Sequence, residues 1–383
     1  MNLAQGKKAL LSAVAAAALT VVGAASAMAD VKPVTIRIAA DLTGPPHPAG
    51  ISMSLFKDLV EKKMPGSEVR LFFAGSLYRI PEAVEAMTDG NLEMTWGQFG
   101  KTAAVDPYMN VVVGAQLLTT PGAISSLDSF ETFKFLQDRM NKVHDVHIFG
   151  SGHLSMYMGA GSGSRLISPA DFKGKKMRSM GPAENALLGA IGANPTTMAF
   201  GDVPPALQTG VIDGLLTSLG GFNSTKDQAP FFTIAGINGI VGDYYWIGAS
   251  NSWWNKLDTE QQAILNGIII NEVLPFQKKI NFCNDKRLVD KYETKDPSKP
   301  GIYIMNAAEA GAIKTAAGTA TADWIKSKTP DAANIWVDKF AMEAAAAVAA
   351  NPVGSSDLEK TDCAAMAKWF TTYERYKKPK KKK

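Results

Sequence analysis

Arg178 closes the run KGKKMR (173–178), and Gly181-Pro182 follows as a helix start, with proline where its missing N–H costs nothing. A guanidinium matches a carboxylate with two parallel charge-assisted hydrogen bonds and stays charged at any working pH. A helix N-terminus beside it adds a favourable dipole, and strand ends of open α/β sheets are where ligands gather. Strand-end position alone favours a surface arginine paired with a nearby acid. Catalytic constellations are missing by comparison. The sequence holds no G-x-S-x-G, H-E-x-x-H or G-x-x-x-x-G-K-[ST] motif. Gly159-Ala160-Gly161 starts like a dinucleotide fingerprint, but Ser164 takes the third glycine position. Of the four histidines, His144 and His147 have a spacing that a metal can use; the plainer reading is two exposed residues at a helix end. His47 and His153 have no carboxylate or cysteine at ligand spacing. The pattern argues against an enzyme, and no cofactor is expected.

The elements that must position Arg178 span 171–219. Three short apolar segments alternate with two compact helices, punctuated by Gly181-Pro182, Gly192, Gly201-Asp202 and Gly210. That is β-α-β-α-β, half of an α/β lobe. An echo lies upstream: Ala86 to Glu93 matches Ala206 to Asp213 position by position, each with Gly at the fifth place and an acid at the eighth. Two lobes built on one helix–Gly–strand unit would leave a cleft between them.

KGKKMR, GANPTTMAF (192–200) and ALQTGVIDG (206–214), in that order and spacing, resemble the solute-binding proteins of TRAP (tripartite ATP-independent periplasmic) transporters, the DctP-like family. The resemblance implies an α/β, two-lobed periplasmic solute-binding fold with an interlobe cleft. It places lobe I at 30–155 and 244–283, and lobe II at 156–243 and 284–376. Arg178 then anchors the ligand carboxylate and Phe200 packs on the ligand. Thr217 stands where many members carry an asparagine that hydrogen-bonds the ligand. Gln98 takes the place of a glutamate found in acidic-sugar binders, with Trp96 two residues earlier on the same face. Tyr245, beside Trp246, aligns with a polar site residue near a lobe crossing; core packing explains these aromatics equally well. Met158 lies where some relatives have a second arginine and offers only soft apolar surface. One arginine, no second fixed charge and several aromatics suggest a monocarboxylate with an apolar or aromatic body.

The rest of the chain fits a secreted globular protein, with 46% hydrophobic and 20% charged residues among 383. Lys7-Lys8, the apolar stretch Ala9–Val22 and Ala27-Met28-Ala29 predict a signal peptide cleaved after about Ala29, hence a periplasmic protein. No other segment is apolar for long enough to span a bilayer. Setting aside Lys7, Lys8, Lys377, Lys378 and Lys380 to Lys383 turns a formal charge of +4 into a body near −4. The basic tail at 377–383 is read as a solvated end, with no nucleic-acid partner. Strands are predicted at Val34–Ala40, Glu68–Phe73, Leu92–Trp96, Val146–Gly150, Leu154–Met158, Phe231–Ile240 and Tyr244–Ala249. Helices are predicted at Ile51–Lys63, Pro81–Thr88 and Ser126–Val143. Thr259-x-x-Gln262 predicts the cap of a long bracing helix reaching toward Tyr292, kinked at Pro275. Alanine-rich helices follow over Ala307–Ser327, Asp331–Ala350 and Asp357–Tyr376, the last capped by Ser356 with Glu359. Cys283 and Cys363 permit one disulfide in an oxidising compartment; two separate buried thiols fit as well.

The expectation is a receptor that hands a small carboxylate to TRAP membrane permease subunits. A ligand sensor feeding a signalling receptor, and more remotely a periplasmic enzyme, are the alternatives.

Overall fold

Alternation in Thr35–Ala40 puts Ile36 and Ile38 on one face and Ala39 on the other, all fully buried. This strand, β1, is therefore covered on both sides. The computed structural model describes residues 31–371 except Ala115. The expected signal peptide, the basic tail and the end of the helix expected to reach Tyr376 lie outside the described residues.

β1 is parallel to β2 (Glu68–Phe72) and β3 (Met94–Gln98), and β10 (Tyr244–Ser250) runs antiparallel between β3 and β4 (Val146–His153). This first sheet has the order β2-β1-β3-β10-β4. Helices Pro48–Lys63 and Leu274–Tyr292 cover one face; Ile80–Thr88 and Glu131–His144 cover the other. The second sheet contains β5 (Gly159–Ser162), β6 (Lys176–Ser179), β7 (Asn194–Thr197), β8 (Gly214–Thr217), β9 (Phe231–Ile234) and β11 (Gly301–Ile304). Its order is β11-β9-β5-β8-β6-β7, so the β-α-β-α-β unit is present, with β6 parallel to both β7 and β8.

The echo between the two halves has a structural meaning. Gly90 and Gly210 both turn the chain with positive φ, 73° and 70°, after their helices. Glu93 then accepts the backbone N–H of Arg37 in β1 at 2.7 Å, and Asp213 accepts that of Lys176 in β6 at 2.8 Å. In each lobe the acid satisfies a donor at the start of the neighbouring parallel strand.

Three segments cross between the sheets. Residues 154–158 and 235–243 are tied together, Leu154 N–H donating to the Asp243 carbonyl (3.0 Å) and Asn238 N–H to that of Met156 (2.9 Å). The third is the long helix, assembled from Thr259–Gly267, a π-helical turn Ile268–Val273 and Leu274–Tyr292. Leu265, Ile268 and Leu274 join the first core and Leu288 a core of the second, so the helix braces both. The π turn sits where Pro275 withholds a donor from the preceding turn. Asp258 and Gln261, one residue earlier than expected, form the capping box.

Several expectations need correction. The segment Leu154–Met158 is a crossing; the glycine-rich run after it is strand β5, because β8 and β9 approach its bare backbone on both sides. Strand β9 stops at Ile234. The helix predicted from Ser126 begins at Glu131. Gly318, at φ 52°, breaks the expected 307–327 helix into Ala307–Ala317 and Ala320–Lys328. Ser356 does bond Glu359, at 2.7 Å, but this closes a turn, and helix starts only at Cys363. Strand β11, edge of the second sheet, was not expected. The C-terminal helices do not all join the second lobe: Val337, Phe340, Ala344 and Ala347 of helix Asp331–Ala350 pack into the first-lobe core, and Phe370 packs on Ile51. The two cysteines form a disulfide, Cys283–Cys363.

Candidate ligand-binding site

A cavity of about 100 Å³ lies between the two sheets at the C-terminal ends of β1, β3, β6 and β8. Many of its wall residues lie at or just past the end of a strand. From β6 comes Arg178, only 3% exposed. Its Nε donates to the Met198 carbonyl at 2.9 Å and its Nη1 to that of Leu216 at 3.0 Å. The Phe200 ring lies 5.8 Å from its guanidinium carbon and lines the same cavity. Among the described residues no carboxylate forms an ion pair with this guanidinium. Burial therefore dominates and lowers its pKa to about 10, against smaller upward pulls from Glu184 and Asp243.

Thr217, the last residue of β8, and Gln98, the last of β3, also line the cavity. Gln98 Nε2 donates to Asp243 Oδ2 at 2.7 Å. Four of the seven residues named from the sequence thus meet: Arg178, Phe200, Thr217 and Gln98. The other three belong to cores. Trp96 packs edge-on against Phe56, 5.8 Å between ring centres. Met158 is fully buried beside Leu166 and Phe172. Tyr245 is fully buried in the first-lobe core, its hydroxyl 3.5 Å from Asn281 Nδ2. Same-face parity with Gln98 did not carry Trp96 to the cavity; its ring packs in the first-lobe core.

The cavity also has walls that the sequence reading missed. Asp41 follows β1 directly, and Lys101 lies one turn beyond β3; they pair at 2.7 Å. His47 caps helix Pro48–Lys63 by accepting the Ala49 N–H at Nδ1, 3.2 Å away, which leaves the ring proton on Nε2. Burial lowers its pKa to about 4, so the ring is neutral near pH 7. Ser218, Leu154 and Met180 complete much of the lining. The missed signal was positional: residues just past the ends of parallel strands.

Two buried acids stand behind this lining. Burial raises Asp243 to about 6, although Gln98, Lys101 and Arg178 each pull it down. Glu184, in the first turn of helix Pro182–Ala190, is raised to about 7 by burial and then by Asp243, and its Oε2 has no partner. The two other histidines with metal-like spacing are engaged elsewhere. His144 Nε2 meets Asp106 at 2.8 Å, and His147 stacks on Trp254. No cluster among the described residues has the makings of a metal site. No helix among them is long and apolar enough to cross a membrane.

Residues 39–327 match the family described as bacterial extracellular solute-binding protein, family 7 (DctP). The chain is 24% identical over 299 residues to the C4-dicarboxylate-binding periplasmic protein DctP of Vibrio cholerae, covering 76% of this chain and 80% of that one. Two further relatives are matched over 66% and 60% of their length. Among solved structures, the periplasmic ectoine-binding protein of a Halomonas elongata TRAP transporter superposes with a TM-score of 0.72 at 18% identity, over 82% of this chain and 99% of that one. A TRAP periplasmic solute-binding protein from Shewanella oneidensis with bound succinate gives 0.69 at 20% identity, over 82% and 99%. These similarities establish the two-lobed fold.

Proposed function

The chain belongs to family 7 of the bacterial extracellular solute-binding proteins, the DctP family, and on that premise we propose that it captures a small organic acid in the interlobe cavity. Arg178 holds the ligand carboxylate, and the loaded protein delivers it to the membrane permease of a TRAP system in the periplasm. The observation that carries this reading is a buried cation without a counter-ion. Two backbone carbonyls fix the guanidinium plane and leave its Nη2 for a ligand. A desolvated guanidinium is costly unless an anion joins it, and the ligand is that anion. Because both sheets contribute walls, a ligand touching both favours the shut form over the open one.

The acid is a monocarboxylate. Lys101 is a second cation in the cavity, which the one-arginine argument did not include, but Asp41 already neutralises it. A second carboxylate would meet Asp41 and Asp243 as well as Lys101, and that repulsion disfavours diacids. Phe200, Met180, Leu42 and Leu154 supply an apolar surface for the ligand body, while Thr217, Ser218 and Gln98 supply hydroxyl and amide partners.

Thermal-shift screening against a carboxylate library tests this, since bound ligand raises apparent stability by mass action. Monocarboxylates with aliphatic or aromatic bodies should raise Tm, and Arg178→Ala should abolish the shift. Tight binding of succinate-type diacids with monoacids ignored would overturn the ligand class. Retention of every shift in Arg178→Ala would overturn the site.

A further inference from the structure

We propose that the ligand site has a second chamber that takes the far end of a ligand longer than the first cavity can hold. The inference rests on Arg178 holding the carboxylate. A groove of about 350 Å³ adjoins the first cavity, and Asp41, Lys101 and Met180 line both, so the two spaces share a wall. At about 100 Å³ the first is the smaller of the two. Their linings differ in character. The first gathers charged, hydroxyl and amide groups around Arg178 beside the apolar Leu42, Leu154, Met180 and Phe200. The second is mostly apolar or small, with Met198, Ala199, Ala103, Ala104 and Pro81 and the ring of Trp324. Its polar members besides the shared pair are Asn110, Thr197 and the exposed Arg79.

Trp324 gives the groove its aromatic wall. It comes from helix Ala320–Lys328, which contacts helix Pro182–Ala190 of the second lobe and also sends Ile325 into the first-lobe core. The C-terminal region thereby shapes the site, although no cavity-lining residue was sought there from the sequence. One available cation with an apolar groove next to it matches an amphipathic acid: carboxylate on Arg178, hydrocarbon or aryl tail past the Lys101–Asp41 pair and against Trp324. The tail loses apolar surface to water there, so affinity should climb with each methylene buried.

The test is calorimetric titration of the full mature chain with acetate, butanoate, hexanoate, octanoate and 4-phenylbutanoate. Affinity should rise about tenfold or more from butanoate to octanoate. Ala104→Phe fills the groove from an exposed position that folding tolerates. It should return octanoate and 4-phenylbutanoate to the level of butanoate while leaving butanoate within about twofold. Trp324→Ala should cut the gain for 4-phenylbutanoate severalfold. A flat dependence on chain length, or an octanoate affinity untouched by Ala104→Phe, overturns the second chamber. If Arg178→Ala abolishes butanoate binding in the same experiment, the reading of the first cavity still stands. Failure of every acid to bind overturns both.

Discussion

The carboxylate of Asp285, on the long helix, accepts the backbone N–H of Met156 at 2.7 Å. The same carboxylate takes the Ser155 hydroxyl at 2.9 Å, so the third crossing grips the first. Asp285 is 1% exposed, so these two crossings meet at a buried acid.

Burial raises Asp285 from 3.8 to about 7, with the bonds from Met156 and Ser155 opposing. Its folded value lies above its unfolded one. Its contribution to stability is therefore complete below about pH 4 and is lost as pH rises through about 7. Asp285→Asn keeps an acceptor for Met156 and carries no charge. The variant should gain stability relative to the wild type between about pH 4 and pH 7, read from urea unfolding at a series of pH values. Parallel curves for the two proteins would refute a titrating Asp285.

The disulfide Cys283–Cys363 spans 80 residues of sequence and fastens helix Cys363–Thr371 to the long helix. Besides the bridge, Phe370 packs on Ile51 and Trp369 lies edge-on to Phe276. Replacing Cys363 with Ser and Cys283 with Ala should cost about 2–4 kcal/mol in urea unfolding, mostly through the freer unfolded chain. Titration with butanoate should be unchanged, since neither cysteine lines the site. An unaltered midpoint would mean that the bridge adds nothing to stability.

The α/β architecture was legible because glycine punctuation and apolar periodicity agree over most of the chain. The echo of 86–93 in 206–213 was legible too, and its reason is now physical: an acid closing a strand donor in each lobe. Arg178, Phe200, Thr217 and Gln98, which line the cavity, were singled out through the motifs around them and their place at element ends. Asp41 and Lys101 went unnoticed because one lies in a loop and the other in a four-residue helix, both too short for periodicity, joined by an ion pair across 60 residues. Trp96, Met158 and Tyr245 were drawn into cores, where a large apolar side chain contributes more than at a cavity edge. Trp324 was out of reach for another reason: nothing local tells which lobe a C-terminal helix will pack on.

Gly221 stands in helix Leu219–Thr225 directly over Thr217, where an added Cβ would fall 2.0 Å from Thr217 Oγ1. Gly221→Ala should therefore push the threonine out of its place in the cavity wall. Butanoate affinity should fall by about tenfold, with a destabilisation on the order of 1–3 kcal/mol from overpacking. The double variant Gly221→Ala, Thr217→Ala removes the clash and should be more stable than Gly221→Ala alone, a non-additivity that a double-mutant cycle measures. Strict additivity would show that the two positions do not press on each other.

Asp243 makes ligand binding a proton-linked event. Held at about 6 by burial, it faces Gln98 by hydrogen bond and feels Lys101 and Arg178 as favourable charges. A ligand carboxylate arriving at Arg178 offsets part of that cationic field and adds a like charge, which raises Asp243 further. Glu184, raised to about 7 and sensing both Asp243 and Arg178, moves the same way. The complex then binds more protons than the free protein, so affinity for butanoate should grow as pH falls through about 7 to about 6. The gain ends where the ligand's own carboxylate protonates. Calorimetry near pH 6 in buffers of different ionisation enthalpy should give an uptake of a fraction of a proton. Asp243→Asn should remove most of it while preserving the bond to Gln98 through its amide oxygen. Buffer-independent heats in the wild type would exclude the linkage.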